Sequence, residues 1–504
     1  MDDLLRRALD ARVGDVLPMP TPLDAAPGLS ARLGVPVLLK REDLTPIFAF
    51  KIRGAYNRMA QLGPAERAAG VVAASAGNHA QGVAYAAQRL GATARIVMPL
   101  TTPSIKVRAV RRLGADVVLA GDGYDAAAAH AADIARTEGR TIIPPFDDLD
   151  VIAGQGTVGL ELLHQAPRDL ATIFVPIGGG GLAAGVSSVV KTVRPGVRVV
   201  GVEPDDSDAM RRSLAAGKRV VLEHVGFFAD GVAVKQVGEH TFALCRRYLD
   251  DCITVGVDEI CAAIADVFDD TRSILEPAGA LSVAGAKRAA EAGSLAPGPV
   301  VAVTSGANMN FARLAYVAEQ AQVGEHREAI FAVTIPERPG AFLGFCAAIG
   351  ERSVTELNYR LATRAEAHIF VGLEVAGVEE SRAIAAGLER RGYPCADLSD
   401  NDLAKTHIRH MVGGRTAEVA DEVLYGFEFP ERPGALLQFL TRLGSRWNIS
   451  LFHYRNHGAA FGRVLCGLEV PPADRDELRG RLDALGFSYR EESDNPAGRF
   501  FLRS

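Results

Sequence analysis

The chain carries a copy of one of its own segments. IPERPGAFLGF begins at Ile335 and FPERPGALLQF at Phe429, so Pro336 recurs as Pro430, 94 positions later, with Glu337, Arg338, Pro339, Gly340 and Ala341 matched in step. A duplication of that length requires two modules of the same fold. Each copy reads strand (IFAVTIP; YGFEFP), Pro-Gly turn, helix, strand (VTELNYRL; ISLFHYRN), strand (AHIFVGLEV; GRVLCGLEV), helix (SRAIAAGLERRG; DRDELRGRLDALG). That order predicts a β-α-β-β-α-β sandwich with its helices on one face of an antiparallel sheet. ERPG taken alone is a turn in which Pro sets φ and Gly opens the chain. Its recurrence points to paired ligand-binding modules.

The duplicated region starts after a change of pattern near VGEHRE (323–328). Before it, from about 35 to 320, short β-branched runs alternate with longer helical patterns. The runs are VLLKRED (37–43), VVAAS (71–75), ARIVMP (94–99), DVVLAG (116–121), TIFVPIG (172–178), RVVGVEP (198–204) and VVAVTSG (300–306). Such alternation builds a parallel sheet buried on both faces, with ligands at the carboxyl ends of its strands. The fold class is therefore α/β followed by two α+β modules, and 504 residues leave room for about three domains. The expected limits are 1–322, 329–400 and 423–495.

Bulk properties exclude several classes. A net charge of −6 with no basic stripe argues against a nucleic-acid partner. No apolar run is long enough to cross a bilayer. MDDLLRRALDARV alternates acid and base within a helical pattern and lacks a leader's apolar core, so the expected location is cytoplasmic. The six cysteines (245, 252, 261, 346, 395, 466) show no CxxC pair and are expected to be buried thiols. The eleven histidines lack metal-ligand spacing, and no metal is assigned.

Four motifs carry the chemistry, one just after the strand VLLKRED and three at strand ends. Lys51, in FAFKIRGAY, has apolar neighbours Phe50 and Ile52 and the cation Arg53 nearby. Both influences are expected to favour the neutral amine, the form that attacks an aldehyde and later takes a proton. SAGNHAQG opens a helix, where consecutive backbone N–H groups of Ser75, Ala76, Gly77, Asn78 and His79 can cradle a carboxylate. Capping of that helix by Ser75 or Asn78 is the plainer reading, and His79 is given no part in proton transfer. GGGGL (178–182) lets a backbone approach a phosphate where no Cβ intervenes. Gly178, Gly180 and Ala183, with Glu203 ending the next strand, also satisfy a loose dinucleotide fingerprint. A nicotinamide oxidoreductase is thus one rival, and a non-catalytic amino-acid sensor is another. Ser305 in TSGANMN is a hydroxyl at a strand end, either facing a ring nitrogen or capping the following helix. No protein acid for a leaving group is evident in these motifs.

KREDLTPIFAFKIRGAY, SAGNHAQG, GGGGL, LEPAGAL (275–281) and TSGANMNF together resemble the fold-type II pyridoxal-phosphate enzymes, specifically the biosynthetic threonine dehydratase (threonine ammonia-lyase) family. The tandem repeats resemble that family's ACT-like regulatory modules, so the likeness spans essentially the whole chain. It implies two parallel-sheet subdomains, pyridoxal 5'-phosphate as cofactor, and β-elimination from L-threonine to 2-oxobutanoate and ammonia, the first step of isoleucine biosynthesis, with L-serine as an alternative substrate. It further implies inhibition by isoleucine, opposition by valine, and a homotetramer. By position, Lys51 would carry the cofactor, Asn78 would bond its ring oxygen, Gly178, Gly179, Gly180, Gly181 and Leu182 would wrap its phosphate, and Ser305 would face its ring nitrogen. Two departures stand out. Phe48 and Ala49 replace the histidine and serine common before the lysine, and Ala76 stands where serine racemases of this fold carry a second acid-base serine, which favours elimination over racemisation.

Overall fold

The computed structural model describes every residue except 1–2, 122, 227, 325–326, 362–364, 402–403, 405–407, 412–418, 431–433, 456–460, 496–501 and 503–504. The chain divides into two compact units, residues 1–324 and 325–504.

The first unit contains two sheets. The larger runs Leu23–Ala25, Val37–Arg41, Val300–Thr304, Thr172–Pro176, Arg198–Pro204, Asp251–Val255. All neighbours are parallel except Leu23–Ala25, which pairs antiparallel at the edge. Thr172–Pro176 and Val300–Thr304 are buried along their whole length, as central strands covered on both faces must be. The smaller sheet is wholly parallel: Asp116–Leu119, Ala94–Met98, Val71–Ala74, Thr141–Ile142. The β-branched runs of the sequence are thus strands. VLLKRED ends at Arg41 and continues as a 3-10 turn, Glu42–Leu44. NFARLAYVAEQ likewise begins as a 3-10 turn, Phe311–Arg313, ahead of the helix Leu314–Gly324.

The helix Lys51–Ala60 lies against Leu149–Gln165 at backbone distance. A Cβ on Gly154 would sit 2.6 Å from the Arg53 carbonyl, and one on Gly54 would sit 2.7 Å from the Val151 carbonyl. Both are closer than real Cβ contacts come, so glycine on each helix sets how deeply the Lys51 helix seats.

In the second unit the two repeats do not stay separate. Cys395–Asp397, Glu328–Pro336, Glu366–Glu374 and Val354–Arg360 form the first module's sheet. Asn448–Arg455, Phe461–Glu469, Glu422–Pro430 and Ser488–Glu491 form the second's. Val354–Arg360 and Asn448–Arg455 pair antiparallel, from Glu356 opposite Arg455 to Arg360 opposite Leu451, giving one eight-stranded sheet. The helices Ala341–Ile349, Val378–Arg390, Ala435–Leu443 and Arg475–Leu485 contribute to a single core in which Phe331, Phe345 and Leu357 of one repeat join Phe427, Phe439 and Phe452 of the other. Glu431, Arg432 and Pro433, the centre of the second ERPG copy, lie outside the described residues.

Candidate active site

Lys51 is the first residue of the helix Lys51–Ala60, which follows the strand Val37–Arg41 and its 3-10 turn. The residues before it are zipped to a segment more than 250 positions away: Phe50 N–H donates to the Ser305 carbonyl (3.1 Å), Ala307 N–H to the Phe48 carbonyl (2.9 Å), and Ala49 bridges Gly306. This pairing is what brings the amine and the Ser305 loop together. Phe48 takes a left-handed φ of 56°, unusual for a bulky residue, and its side chain is exposed. Ala49 is fully buried with Thr45 Oγ1 bonded to its backbone on both sides. A larger side chain there would meet packed protein.

The Lys51 Nζ donates to the Pro145 carbonyl (2.8 Å) and lies 5.1 Å from the centre of the Phe50 ring. Burial lowers its pKa to about 8, with the carboxylate of Glu276 acting the other way. Arg53 has no part in this, contrary to the sequence expectation. Two residues along a helix is roughly 200° of rotation, so its guanidinium points to the opposite side. There it is fully buried against Glu42 and Glu161.

The SAGNH segment follows Val71–Ala74, and its residues 75–78 are only partly covered. Ser75 Oγ accepts from the N–H of Gly77 (3.2 Å) and Ala80 (3.3 Å). Gly77, at the start of the helix Asn78–Leu90, has no side chain to cap it, and Ser75 serves the first turn instead through the Ala80 N–H, as the plainer reading expects. His79 is buried, with Nε2 2.8 Å from the Ile143 carbonyl and Nδ1 without a hydrogen-bond partner. Burial, then the charge of Lys51, hold its pKa down to about 3, so the ring is neutral.

Gly178–Leu182 joins Thr172–Pro176 to the helix Gly181–Val193, whose first turn has no side-chain cap. Gly180 has φ 96°, a conformation that side-chain-bearing residues rarely adopt, and a Cβ there would sit 2.8 Å from Met210 Cε. Thr241 Oγ1 pins the loop through the Gly179 carbonyl (2.7 Å). What remains is a bare arc of amides at the positive end of a helix, suited to an anion. Glu203, the acid of the rival dinucleotide reading, does not face this arc. It is buried, accepts from the N–H of Met210 (2.9 Å) and Arg211 (2.8 Å), and receives the Cys252 thiol. A ribose hydroxyl would find that carboxylate already engaged.

Ser305 is buried and its Oγ donates to the Ala278 carbonyl (3.2 Å), so it does not cap the following helix. Asn78 Nδ2 donates to Glu276 Oε1 (2.5 Å), while its Oδ1 accepts from Asn308 Nδ2 (2.7 Å). Glu276 and Asn308 went unassigned in the sequence although both stand inside the motifs, in LEPAGAL and TSGANMN. Their signal was there: an acid directly before a Pro-Ala-Gly helix start, and an amide three residues past the serine.

Among the described residues no group of three or more His, Cys, Asp or Glu side chains could hold a metal, and no helix is long and apolar enough to cross a membrane. Five cysteines are buried as expected. Cys395 is half-exposed, being on a short edge strand.

A lowered amine, an uncapped helix start among glycines, an uncharged hydroxyl and a fixed amide fit the aldehyde, phosphate, ring nitrogen and ring oxygen of pyridoxal phosphate. This defines the class as enzymes that work on amino acids through that cofactor. The model of the pyridoxal-phosphate dependent enzymes matches residues 16–306, and that of the C-terminal regulatory domain of threonine dehydratase matches twice, at 319–408 and 413–502. The chain is 57% identical to the biosynthetic L-threonine dehydratase of Burkholderia multivorans over 99% of each chain. It is 50% identical to the Escherichia coli protein of that name, over 99% of this chain and 97% of the other. Among solved structures it is similar to the processed form of threonine deaminase isoform 2 from Solanum lycopersicum, with TM-score 0.62, 49% identity, 63% of this chain covered and 92% of that one. The serine racemase of Dictyostelium discoideum aligns at TM-score 0.56 and 30% identity, over 61% of this chain and 99% of that one. The chain belongs to the pyridoxal-phosphate dependent enzymes, in the biosynthetic threonine dehydratase family.

Proposed function

We propose that Lys51, Asn78, the Gly178–Leu182 loop, Ser305 and the 75–79 segment carry the reaction of this lyase, the pyridoxal-phosphate-dependent deamination of L-threonine to 2-oxobutanoate and ammonia. The single observation behind the reading is Lys51: an amine beside an uncapped loop, with its pKa lowered to about 8 by burial. Bound here, the cofactor supplies an aldehyde for the amino group and a ring that draws electrons from Cα. A pKa lowered to about 8 leaves a usable fraction of Lys51 as the free amine near neutral pH, and that form takes the Cα proton. Backbone N–H groups of residues 75–79 hold the substrate carboxylate, and the amides of Gly178–Leu182 hold the phosphate. Ser305 offers the ring nitrogen a hydroxyl and no acid, which favours prompt loss of the β-hydroxyl over a long-lived carbanion. Keto-acid assay of L-threonine, L-serine and D-serine, with borohydride trapping and peptide mapping, tests this. Threonine turnover and a pyridoxyl label on Lys51 are expected, and a label elsewhere defeats the assignment.

We also assign residues 1–322 as the catalytic domain and 329–400 and 423–495 as regulatory modules through which isoleucine inhibits and valine opposes. Where the repeats meet, Pro336, Glu337, Phe342, Tyr359, Trp447 and Asn448 line a cleft. Glu337 accepts there from the Tyr359 hydroxyl (2.7 Å) and from Asn448 Nδ2 (2.8 Å). A carboxylate with apolar walls suits the ammonium and side chain of a small aliphatic amino acid. Truncation after Gln322 should leave an active enzyme deaf to isoleucine, and retained inhibition at intact affinity would remove the repeats as the sensor. We take the enzyme as a cytoplasmic homotetramer on the family resemblance, and light scattering of the purified chain checks the assembly.

A further inference from the structure

We infer that Glu276 is a positioning residue for the reaction: it fixes the orientation of the Asn78 amide. The inference rests on the cofactor reading of the site.

The geometry is as follows. Glu276 immediately precedes the helix Pro277–Glu291 and is buried, but its side chain does not cap that helix. Its backbone N–H donates to the Gly306 carbonyl (3.1 Å), tying it to the loop of Ser305. Its Oε1 lies directly over Gly306 and takes the 2.5 Å hydrogen bond from Asn78 Nδ2. On the other side of that amide, Asn308 Nδ2 spans Asn78 Oδ1 (2.7 Å) and the Ile47 carbonyl (2.8 Å).

An asparagine amide is symmetrical in shape and can settle either way round. Here one flank is the Glu276 carboxylate, which in its ionised form only accepts, and the other is an amide nitrogen, which only donates. The pair permits a single orientation, nitrogen toward Glu276 and oxygen toward Asn308. The second N–H of Asn78 then stays uncommitted among the described residues, available to a ring oxygen. A flipped amide would present an acceptor to an oxyanion. Glu276 also opposes the lowering of Lys51, so the same carboxylate favours a positive charge on that nitrogen. The groups that act on Glu276 in turn are Asn78 and the Asn308 backbone as donors, Asp230 as a like charge, and Lys106 as an opposite one. Asp230 is itself engaged by Lys106 (2.5 Å) and Arg313 (3.4 Å). Burial pushes Glu276 up to about 7, so its charge changes within the working range.

The test compares holoenzyme of the full chain with Glu276→Gln, Glu276→Asp and Glu276→Ala. A separate portion of each is first trapped with borohydride, and the remainder is kept unreduced for titration and kinetics. A Lys51 label in the parent secures the cofactor reading, and its absence there overturns that reading together with this inference. With the label present, the visible absorbance of the bound cofactor is titrated with pH. Removing the negative charge should lower the midpoint by roughly one unit in Glu276→Gln and Glu276→Ala, with Glu276→Asp in between. For threonine, kcat should fall about tenfold in Glu276→Gln while KM changes far less, because the residue touches an orienting group and not the substrate. An unmoved midpoint in Glu276→Gln, or an Asp variant no closer to the parent than the Gln one, overturns the inference. Glu276→Gln keeps the volume of the parent side chain, so the result stands whether or not Glu276→Ala folds.

Discussion

Two lysines, eleven positions apart, sit in the same unit and are treated in opposite ways. Lys40 is completely buried on the strand Val37–Arg41, and all three of its donors are used: Glu161 Oε2 (2.5 Å), Gln165 Oε1 (2.7 Å) and the Thr21 carbonyl (2.7 Å). Arg53 lies beside it, also without exposure, bonded to both oxygens of Glu42 and of Glu161. Two cations thus face two carboxylates, and every charge is matched. Lys51 has a backbone carbonyl, a phenyl ring and a more distant carboxylate. Burial pulls both lysines down, but around Lys40 it is opposed by Glu161 and Glu42, whereas around Lys51 only Glu276 opposes it. With Lys51 as the proposed catalytic amine, the difference separates a structural lysine from a reactive one. The first is saturated with acceptors, and the second is kept short of them so that its lone pair can be used.

The sharpest way to break this contrast is Lys51→Ala. Threonine deamination should drop at least about 10⁴-fold, through loss of both the attachment point and the base. The thermal midpoint of the variant should stay near that of the cofactor-free parent, since no buried partner loses its charge. Arg53→Leu should do the reverse. It leaves Glu42 uncompensated and Glu161 with Lys40 alone, and costs about 3–5 kcal/mol in urea unfolding, with residual activity following the folded fraction. Lys40→Met is milder, about 2 kcal/mol, because Glu161 keeps Arg53. Adding Glu161→Gln to Lys40→Met should cost less than the two singles combined, and strict additivity would show that the pair is not coupled.

The smallest effect is a pH dependence. Arg53 and Lys40 outweigh burial and hold the Glu161 carboxyl below its ordinary 4.5. A depressed carboxylate stabilises the fold above the unfolded value and loses that contribution as pH falls through the folded one. The stability gap between the parent and Glu161→Gln should therefore be constant from pH 6 to 8 and close below pH 4.5. A gap that widens on acidification contradicts it.

Much of the site was legible because each motif is local. A glycine run after a β-branched strand, or a Ser-Gly-Asn before a helical pattern, states its backbone conformation within a few residues. The role of Arg53 was misjudged for the same reason: closeness in sequence was taken as closeness in space, and a helix turns a side chain two positions on to its far side. Glu276 stands inside LEPAGAL, but its partner Asn78 follows a strand of the other sheet, so the motif by itself gives no sign of its task. The duplication foretold two modules correctly. It carried no sign that Val354–Arg360 and Asn448–Arg455 would pair edge to edge and merge the cores.

The order of residues alone determined which segments are strands, which turns need glycine, and which side chains have the chemistry for an aldehyde, a phosphate and a ring nitrogen. These are short-range matters of hydrophobic period and backbone sterics. Only the tertiary structure decided which amine is left without acids, because burial and charge matching depend on groups brought in from far along the chain. Glu161 and Gln165 reach Lys40 across more than a hundred residues. Pro145 and Glu276 are what surround Lys51, and distance along the chain says nothing about either.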